Sequence, residues 1–283
     1  MRLASVLLAI LAAMPHPAGR SPVPNAQFPD YVAGLHRPLD QILDLYVRDG
    51  LVYYRALKSD RAKLDTYLRS LDVASSTYGG WPTAERAAFW VNAYNASVLR
   101  TVIDHYPIQR RTAEYPANSI RQIPGAFDKT ARRLAGRSVT LDQIEQEMLP
   151  EFKDPRLYLA LGRGAMGGGR LRSEAYVGAR LDAQLEAVRA EFVTRADQLR
   201  IDHSANRITV TPIIGWRQQE FIAAYADKGT AWANRSPIER AVMVFIEPHV
   251  FPSERTYLRE NTFTLAYHDF DWRLNDLTGG GAR

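Results

Sequence analysis

Apolar residues recur at helical spacing through the first half of the chain. In "RPLDQILDLYVRDG" they share one face from Leu39 to Tyr46, and Gly50 suits a C-terminal cap. The stretch "SDRAKLDTYLRSL" repeats this spacing behind Ser59 as an N-cap, and "TAERAAFWVNAYNASVLRTVIDHY" is the longest candidate, capped by Thr83. The pattern therefore predicts a helical N-terminal half.

The second half of the chain mixes helical and strand-like periods. "KTARRLAGRSVTL" predicts two short strands around the Ala135-Gly136 turn, and "TLDQIEQEML" predicts a helix capped by Thr140. "RLYLAL" and "NRITVTPI" predict strands on either side of a helix in "LDAQLEAVRAEFV". "GWRQQEFIAAYA" and "SPIERAVMVFIEPH" predict helices, and "TFTLAYHDFDW" predicts a last strand. We expect an α+β fold, with the helical half packed on a small antiparallel sheet and further helices.

The start of the chain is typical of a secretory signal peptide. One positive charge precedes an apolar run from Leu3 to Met14, which is too short for the roughly 20 residues that a membrane span needs. We expect residues 1–18 to be a signal peptide, residues 30–276 to form a single globular domain and residues 277–283 to be a flexible tail. The protein would then be exported, periplasmic or secreted, with no transmembrane segment in the mature chain.

Composition narrows the chemistry further. The 283 residues are 46% hydrophobic, enough for a large core, and they include no cysteine. Disulfides and a thiol nucleophile are therefore excluded. The formal net charge is +5, but the basic residues are dispersed and no aromatic-basic RNA motif is present, so we expect no nucleic-acid partner. The histidines lack H-x-x-H spacing, and no metal site is predicted.

A glycine-rich stretch resembles a dinucleotide-binding motif. Gly162 to Gly167 spell G-x-G-x-x-G after an apolar run. A dinucleotide site needs a helix directly after the loop, because the pyrophosphate binds the free N–H groups at the helix start. The next predicted helix begins only near Leu181, so we predict neither a nucleotide site nor any other cofactor.

Six blocks in order resemble the domain of unknown function 547 family. They are "YVRDGLVYYRALKSDRAKLDTYLRSL", "AFWVNAYNASVLRTVIDHYP", "SVTLDQIEQEML", "FKDPRLYLAL", "LRSEAYVGARLDAQL" and "FDWRLND". The resemblance covers most of the chain beyond the leader, apart from an insertion between Gln109 and Asn118. It implies a domain in which a histidine and a Cys-Ala-Ser stretch precede Gly-Cys-Pro, with a further histidine in the "LDQIEQ" helix.

This chain departs from that pattern at each position that would support cysteine chemistry. Gln146 and Tyr158 stand at the two histidine positions, and Arg163 stands at the first cysteine. Gly168 and Gly169 stand at the second cysteine and the proline. A thiolate nucleophile normally needs a neighbouring histidine, and neither arginine nor glutamine replaces that pair. The resemblance therefore implies a catalytically degenerate member of the family.

The same positions suggest a binding cleft. Arginines beside a glycine loop with accessible N–H groups would suit a carboxylate or phosphate on a partner, although solvated surface charges are the alternative interpretation. The candidate cleft consists of Gln146, Tyr158, Arg163, Arg170, Arg172 and Glu174. Gln184 falls in a matched block near it, and Trp216 could line the same cleft, but a lone tryptophan is more often a core residue. Asn92 and Asn95 lie on a buried helix, where amides more often fix neighbouring loops than touch a ligand.

Three functions remain open from the sequence. The first is a binding module for a small molecule or an envelope protein, and it predicts that Gln146, Tyr158 and Arg163 converge on one pocket. The second is a hydrolase or acyl-transfer enzyme that uses Tyr158, Glu174 or His105 as acid or base. The third is a structural component of the cell envelope.

Overall fold

The computed structural model describes residues 34–278. The predicted signal peptide lies outside the described residues, as does most of the predicted tail. The helices are α1 Arg37–Tyr46, α2 Tyr54–Ser59, α3 Ala62–Ser70, α4 Ser75–Gly79, α5 Thr83–His105, α6 Leu141–Gln143, α7 Arg156–Leu159, α8 Leu181–Phe192, α9 Pro212–Trp216, α10 Gln218–Tyr225, α11 Pro237–Ile246 and α12 Pro252–Glu260. The strands are β1 Val47–Arg48, β2 Leu51–Val52, β3 Arg132–Leu134, β4 Arg137–Val139, β5 Leu199–Asp202, β6 Arg207–Val210 and β7 Thr264–Tyr267.

Helix α5 is the centre of the core. Its 23 residues are buried on nearly all sides, and α2, α3, α6 and α8 pack against it. Several of its inward positions are alanines, which let neighbouring backbones approach closely, whereas Phe89 and Trp90 fill an aromatic cluster with Tyr78 and Trp81. A helix that is apolar all round belongs in the interior, and α5 positions every loop that reaches it.

The helical N-terminal half is confirmed, with two corrections at helix starts. Ser59 does not cap a helix, because it is the last residue of α2 and α3 begins at Ala62. Thr83 is the first residue of α5, and the N-cap position belongs to Pro82. The predicted cap at Thr140 is present as a capping box with Gln143.

The prediction of a strand in "RLYLAL" is wrong, since Arg156–Leu159 is the short helix α7. Proline at the N-cap has a φ suited to a helix start, and the Asp154 carboxylate accepts a hydrogen bond from the Arg156 N–H at 3.0 Å. A short apolar run lacks the periodicity that separates a strand from a buried helix.

The strands form three small sheets within the described residues. β1–β2, β3–β4 and β5–β6 pair antiparallel, but β7 pairs with β6 in parallel. The sequence predicted β3, β4, β6 and β7 and missed β1, β2 and β5. Helices α9 to α12 lie between β6 and β7. This long connection lets β7 run alongside β6 in the same direction as β6. The fold is α+β. None of the helices among residues 34–278 combines the length and the apolar character that crossing a bilayer requires.

A C-terminal segment, residues 271–277, joins distant parts of the molecule. The Val52 N–H donates to the Asn275 carbonyl at 2.8 Å, and the Tyr106 hydroxyl donates to the Asp276 carboxylate at 2.7 Å. Asn275 and Asp276 are both buried. The last described residues are therefore part of the packed structure of the N-terminal half.

Candidate functional site

The glycine loop, residues 162–169, is a buried structural element. All of its residues except Met166 are buried, and the next helix of full length, α8, begins only at Leu181. The Met166 N–H donates to the Arg273 carbonyl at 2.8 Å, and the Gly167 N–H donates to the Asp271 carbonyl at 2.9 Å. The expectation of accessible N–H groups in this loop is therefore wrong, because the loop is buried and the chain itself accepts hydrogen bonds from most of them.

Close backbone contacts explain the glycines at the end of the loop. A Cβ on Gly168 would lie 2.2 Å from the Gly162 carbonyl oxygen, and one on Gly169 would lie 1.9 Å from that of Leu159. The cysteine and the proline that the resemblance implies at these positions do not fit this backbone. Glycine is required here for packing, so the motif carries no information about a nucleotide.

Two asparagines of α5 hold the loop and the segment after it. The Asn95 carbonyl oxygen accepts a hydrogen bond from the Gly162 N–H at 2.9 Å, and its amide donates to the Ala160 carbonyl at 3.1 Å. The Asn92 side-chain amide donates to the Tyr176 carbonyl at 2.7 Å, and its side-chain oxygen accepts from the Tyr176 N–H at 2.9 Å. The predicted structural role of both residues is confirmed, because each amide replaces a missing backbone partner.

Arg163 is an internal ion-pair partner. Only 2% of the residue is exposed, its φ is +52°, and its guanidinium donates to the Glu145 carboxylate at 2.6 Å and to the Tyr158 carbonyl at 3.0 Å. Burial disfavours its charged form, but the Glu145 carboxylate outweighs that effect and the pKa of Arg163 lies above its usual value. The guanidinium thus makes its hydrogen bonds within the protein and does not offer them to a ligand.

Tyr158 lies directly behind Arg163. Its ring is buried beneath the Arg217 guanidinium, whose central carbon lies 4.2 Å from the ring centroid. Burial raises the pKa of Tyr158, and nearby carboxylates reinforce the shift. Its phenol therefore stays protonated at neutral pH and supports the base of the pocket described next.

A pocket of about 210 Å³ opens in front of this ion pair. It is lined by Arg121, Phe127, Asp142, Glu145, Gln146, Arg163, Trp216, Arg217 and Trp272, and we call it the α6 pocket. Helix α6 continues into a wider π-helical turn at Ile144–Met148, so Asp142, Glu145 and Gln146 project from adjacent turns towards one opening. Of the three residues predicted to converge, Gln146 and Arg163 line this pocket, whereas Tyr158 is buried behind Arg163 and does not line it.

Three side chains in the α6 pocket are free to meet a ligand. Among residues 34–278, Arg121, Asp142 and Gln146 have no side-chain hydrogen bond or ion pair within the protein. Burial raises the pKa of the Asp142 carboxyl, although the positive charge of Arg121 opposes the shift. The pocket thus presents a cation, a carboxyl group and an amide that have no hydrogen-bond or ion-pair partner among the described residues.

Aromatic rings form one wall of the α6 pocket. Trp216 is 49% exposed, and its ring centroid lies 5.0 Å from that of Phe270, which lies 4.3 Å from that of Trp272. The Arg121 guanidinium lies over Trp272 at 4.3 Å and over Phe127 at 4.7 Å. These cation–π contacts hold the free guanidinium in place at the pocket rim.

The other three predicted site residues lie in a different pocket, of about 310 Å³. Arg170 pairs with Glu191 at 2.9 Å, and Arg172 pairs with Glu174 at 3.1 Å. Glu174 also lies 3.3 Å from Arg180. The six candidates therefore do not share one cleft, and the arginines of this second pocket are already neutralised by carboxylates of the same chain.

His105 also lies outside both pockets. Its Nδ1 is 2.9 Å from the Thr101 carbonyl in the last turn of α5, where an imidazole complements the helix end. Within residues 34–278, no three His, Asp or Glu side chains come together in a way that would hold a metal ion. Tyr158, Glu174 and His105, the acid–base candidates from the sequence, thus have three separate surroundings.

The sequence interpretation missed Arg121, Asp142 and Trp272. Two signals were available: Asp142 precedes Gln146 by one helical turn, and Trp272 falls in the "FDWRLND" block. Arg121 follows the insertion and carried no signal. Trp216 was interpreted as a core residue but is largely exposed.

The fold and the site define an α+β protein in which a buried glycine loop supports a polar and aromatic pocket. The family model described as "Protein of unknown function, DUF547" matches residues 78–193, from the end of α4 to just beyond α8. This part of the chain is similar to that family, and it contains the glycine loop and α6. No curated protein matches the chain, and no solved structure matches it either.

Proposed function

We propose that this protein is a ligand-binding member of its family that has lost catalysis and uses the α6 pocket. The main support is the contrast between committed and free side chains in that pocket. Arg163 and Glu145 neutralise each other, whereas the side chains of Arg121, Asp142 and Gln146 have no hydrogen-bond or ion-pair partner among the described residues. Polar groups left without internal partners at a concave surface are what a specific ligand requires.

The chemistry at the loop supports binding over catalysis. Arg163 occupies the position at which the family resemblance implies a cysteine, and its guanidinium neither titrates near neutral pH nor acts as a nucleophile. Its role in the fold is to hold Glu145 and the Tyr158 carbonyl. The partner we propose is a small molecule or an exposed group of an envelope component.

Replacing Arg121 by glutamate should strongly reduce ligand retention. Immobilised protein would be equilibrated with native envelope extract, washed and unfolded, and the released compounds would be quantified by mass spectrometry. A hydrogen bond to a charged group contributes about 1.5–3 kcal/mol, so the variant should retain about 10- to 100-fold less of any specific ligand.

The matched control is Arg200→Glu, which makes the same charge change at an exposed position on β5. It should retain the ligand as the wild type does. Equal retention by all three proteins would contradict a ligand site at Arg121. Circular dichroism spectra of the three proteins would verify that each is folded.

We also propose that the protein is exported after removal of residues 1–18. The apolar run behind Arg2 supports this, and so does the absence of cysteine, which leaves folding independent of the redox state outside the cytoplasm. N-terminal sequencing of protein recovered from the periplasmic or culture fraction should begin near residue 19. Protein that remains cytoplasmic with residues 1–18 attached would contradict the proposal.

A further inference from the structure

The aromatic wall of the α6 pocket continues onto the open surface. Tyr267 is 41% exposed, and its ring comes within 3.1 Å of where a Cβ on Gly215 would lie, next to Trp216. Trp216, Phe270 and Trp272 form a contiguous row of rings, which we call the aromatic strip, and Tyr267 lies nearby on the surface. Exposed single aromatics are common on proteins, but a row that leads into a pocket requires an explanation.

A flat exposed indole suits one kind of ligand face in particular. The π-system of tryptophan carries negative charge on its face, which attracts weakly positive C–H groups. A pyranose ring presents such C–H groups together on one face and hydroxyl groups around its edge. Phe270 supports Trp216 at 5.0 Å and fixes the orientation of the indole, so this platform is held ready without a ligand.

The free polar groups match the edge of the same ring. The Asp142 carboxyl accepts hydrogen bonds, Arg121 donates them, and the Gln146 amide does both. Neighbouring sugar hydroxyls likewise donate and accept, and planar side chains bind such pairs in a bidentate manner. One free positive charge faces one free carboxyl group, so the pocket does not demand a charged ligand.

The lining argues against a lipid or an apolar peptide side chain. None of the nine described residues that line the α6 pocket is aliphatic, whereas apolar ligands are usually surrounded by aliphatic and aromatic groups. Its volume of about 210 Å³ is also below the roughly 300–1,000 Å³ of pockets for drug-sized ligands. One ring-sized polar group fits these limits, and further units can extend along the aromatic strip.

We infer that the α6 pocket and the aromatic strip bind a saccharide, with a pyranose face on Trp216 and its hydroxyls at Asp142 and Gln146. This inference rests on the proposed binding function and names its ligand class. Arg121 lies where it meets either a hydroxyl or the carboxylate of an acidic sugar. Arg163, Glu145 and Arg217 contribute by fixing the turn that carries Asp142 and Gln146.

The test is titration of purified full-length protein with defined oligosaccharides and peptides. The probes are neutral glucan oligomers, N-acetylglucosamine oligomers, uronic acid oligomers and tetrapeptides, followed by calorimetry and tryptophan fluorescence. We expect one oligosaccharide class to bind, and Trp216→Ala to raise its Kd about tenfold or more, as for a central aromatic contact. Phe251→Ala removes another exposed aromatic, 77% accessible, and should leave the Kd unchanged.

Each outcome separates the ligand class from the binding function. Binding of neutral or acidic oligosaccharides that is lost in Trp216→Ala supports the inference. Tetrapeptides that bind in place of sugars overturn it but leave the α6 pocket as a binding site. If no sugar binds, but a ligand from envelope extract is still retained in a way that depends on Arg121, the saccharide inference is wrong. The proposed binding function then stands. Sugar binding that is unchanged in Trp216→Ala overturns the assignment to this pocket.

Discussion

Replacing Glu145 by alanine is expected to lower the free energy of unfolding by about 3–5 kcal/mol. The Arg163 guanidinium is only 2% exposed and donates to Glu145 at 2.6 Å. Without this carboxylate a positive charge would remain in the interior with only carbonyl oxygens to stabilise it. Removing one partner of a buried pair is costly because the other loses its compensation while staying desolvated.

The measurement is chemical unfolding followed by circular dichroism, with the slope against denaturant compared between variants. The control is Asp182→Ala, which removes an arginine contact of 2.8 Å whose carboxylate is 90% exposed. Solvent screens that pair, and Arg156 keeps its contacts with Asp154 and Glu186, so the loss should stay below about 1 kcal/mol. Equal losses in both variants would show that Arg163 is not desolvated.

Replacing Gly169 by alanine is expected to lower the free energy of unfolding by about 3 kcal/mol or more. The added Cβ would stand 1.9 Å from the Leu159 carbonyl oxygen and 3.0 Å from that of Leu161. Both are backbone atoms, and the Gly169 N–H already donates to the Leu161 carbonyl at 2.9 Å. The loop has to move as a unit to accept a methyl group, because no side chain can rotate out of the way.

Gly79→Ala is the matched control, because nothing lies within 4 Å of a Cβ at the end of α4. That variant should change stability by less than about 1 kcal/mol, since only the freedom of the unfolded chain is reduced. Thermal unfolding and the soluble yield of both variants are the readouts. A Gly169→Ala variant as stable as Gly79→Ala would contradict the close backbone packing of the loop.

Elements with one buried face were predictable from the sequence. The faces of α1 and α3 follow from apolar positions three and four residues apart, and Leu39, Leu64 and Leu68 are all buried as this spacing requires. The strand predicted at "RLYLAL" failed because every residue of Leu157–Leu161 is buried. A segment buried on all sides has no polar face, so its period cannot be determined.

The candidate site was predictable only where one local segment forms it. Gln146 and Arg163 were found because each stands at a position that the family resemblance marks. Arg170 and Arg172 follow Arg163 closely in sequence, yet the buried loop between them directs their side chains to another pocket. The Arg121 guanidinium lies 4.3 Å from the ring centroid of Trp272, although the two residues are far apart in sequence. Such a contact depends on the whole fold.

The C-terminal segment, residues 271–277, completes contacts between parts of the chain that are far apart in sequence. Tyr54 reaches Asn275 at 2.7 Å across 221 positions, and Tyr106 reaches Asp276 across 170. Contacts of such sequence separation form late, because their loops must close first. The N-terminal half and the glycine loop thus acquire these partners only after residues 271–277 are available. A chain truncated before residue 271 would therefore lack the backbone hydrogen bonds that this segment makes with Val52, Met166 and Gly167.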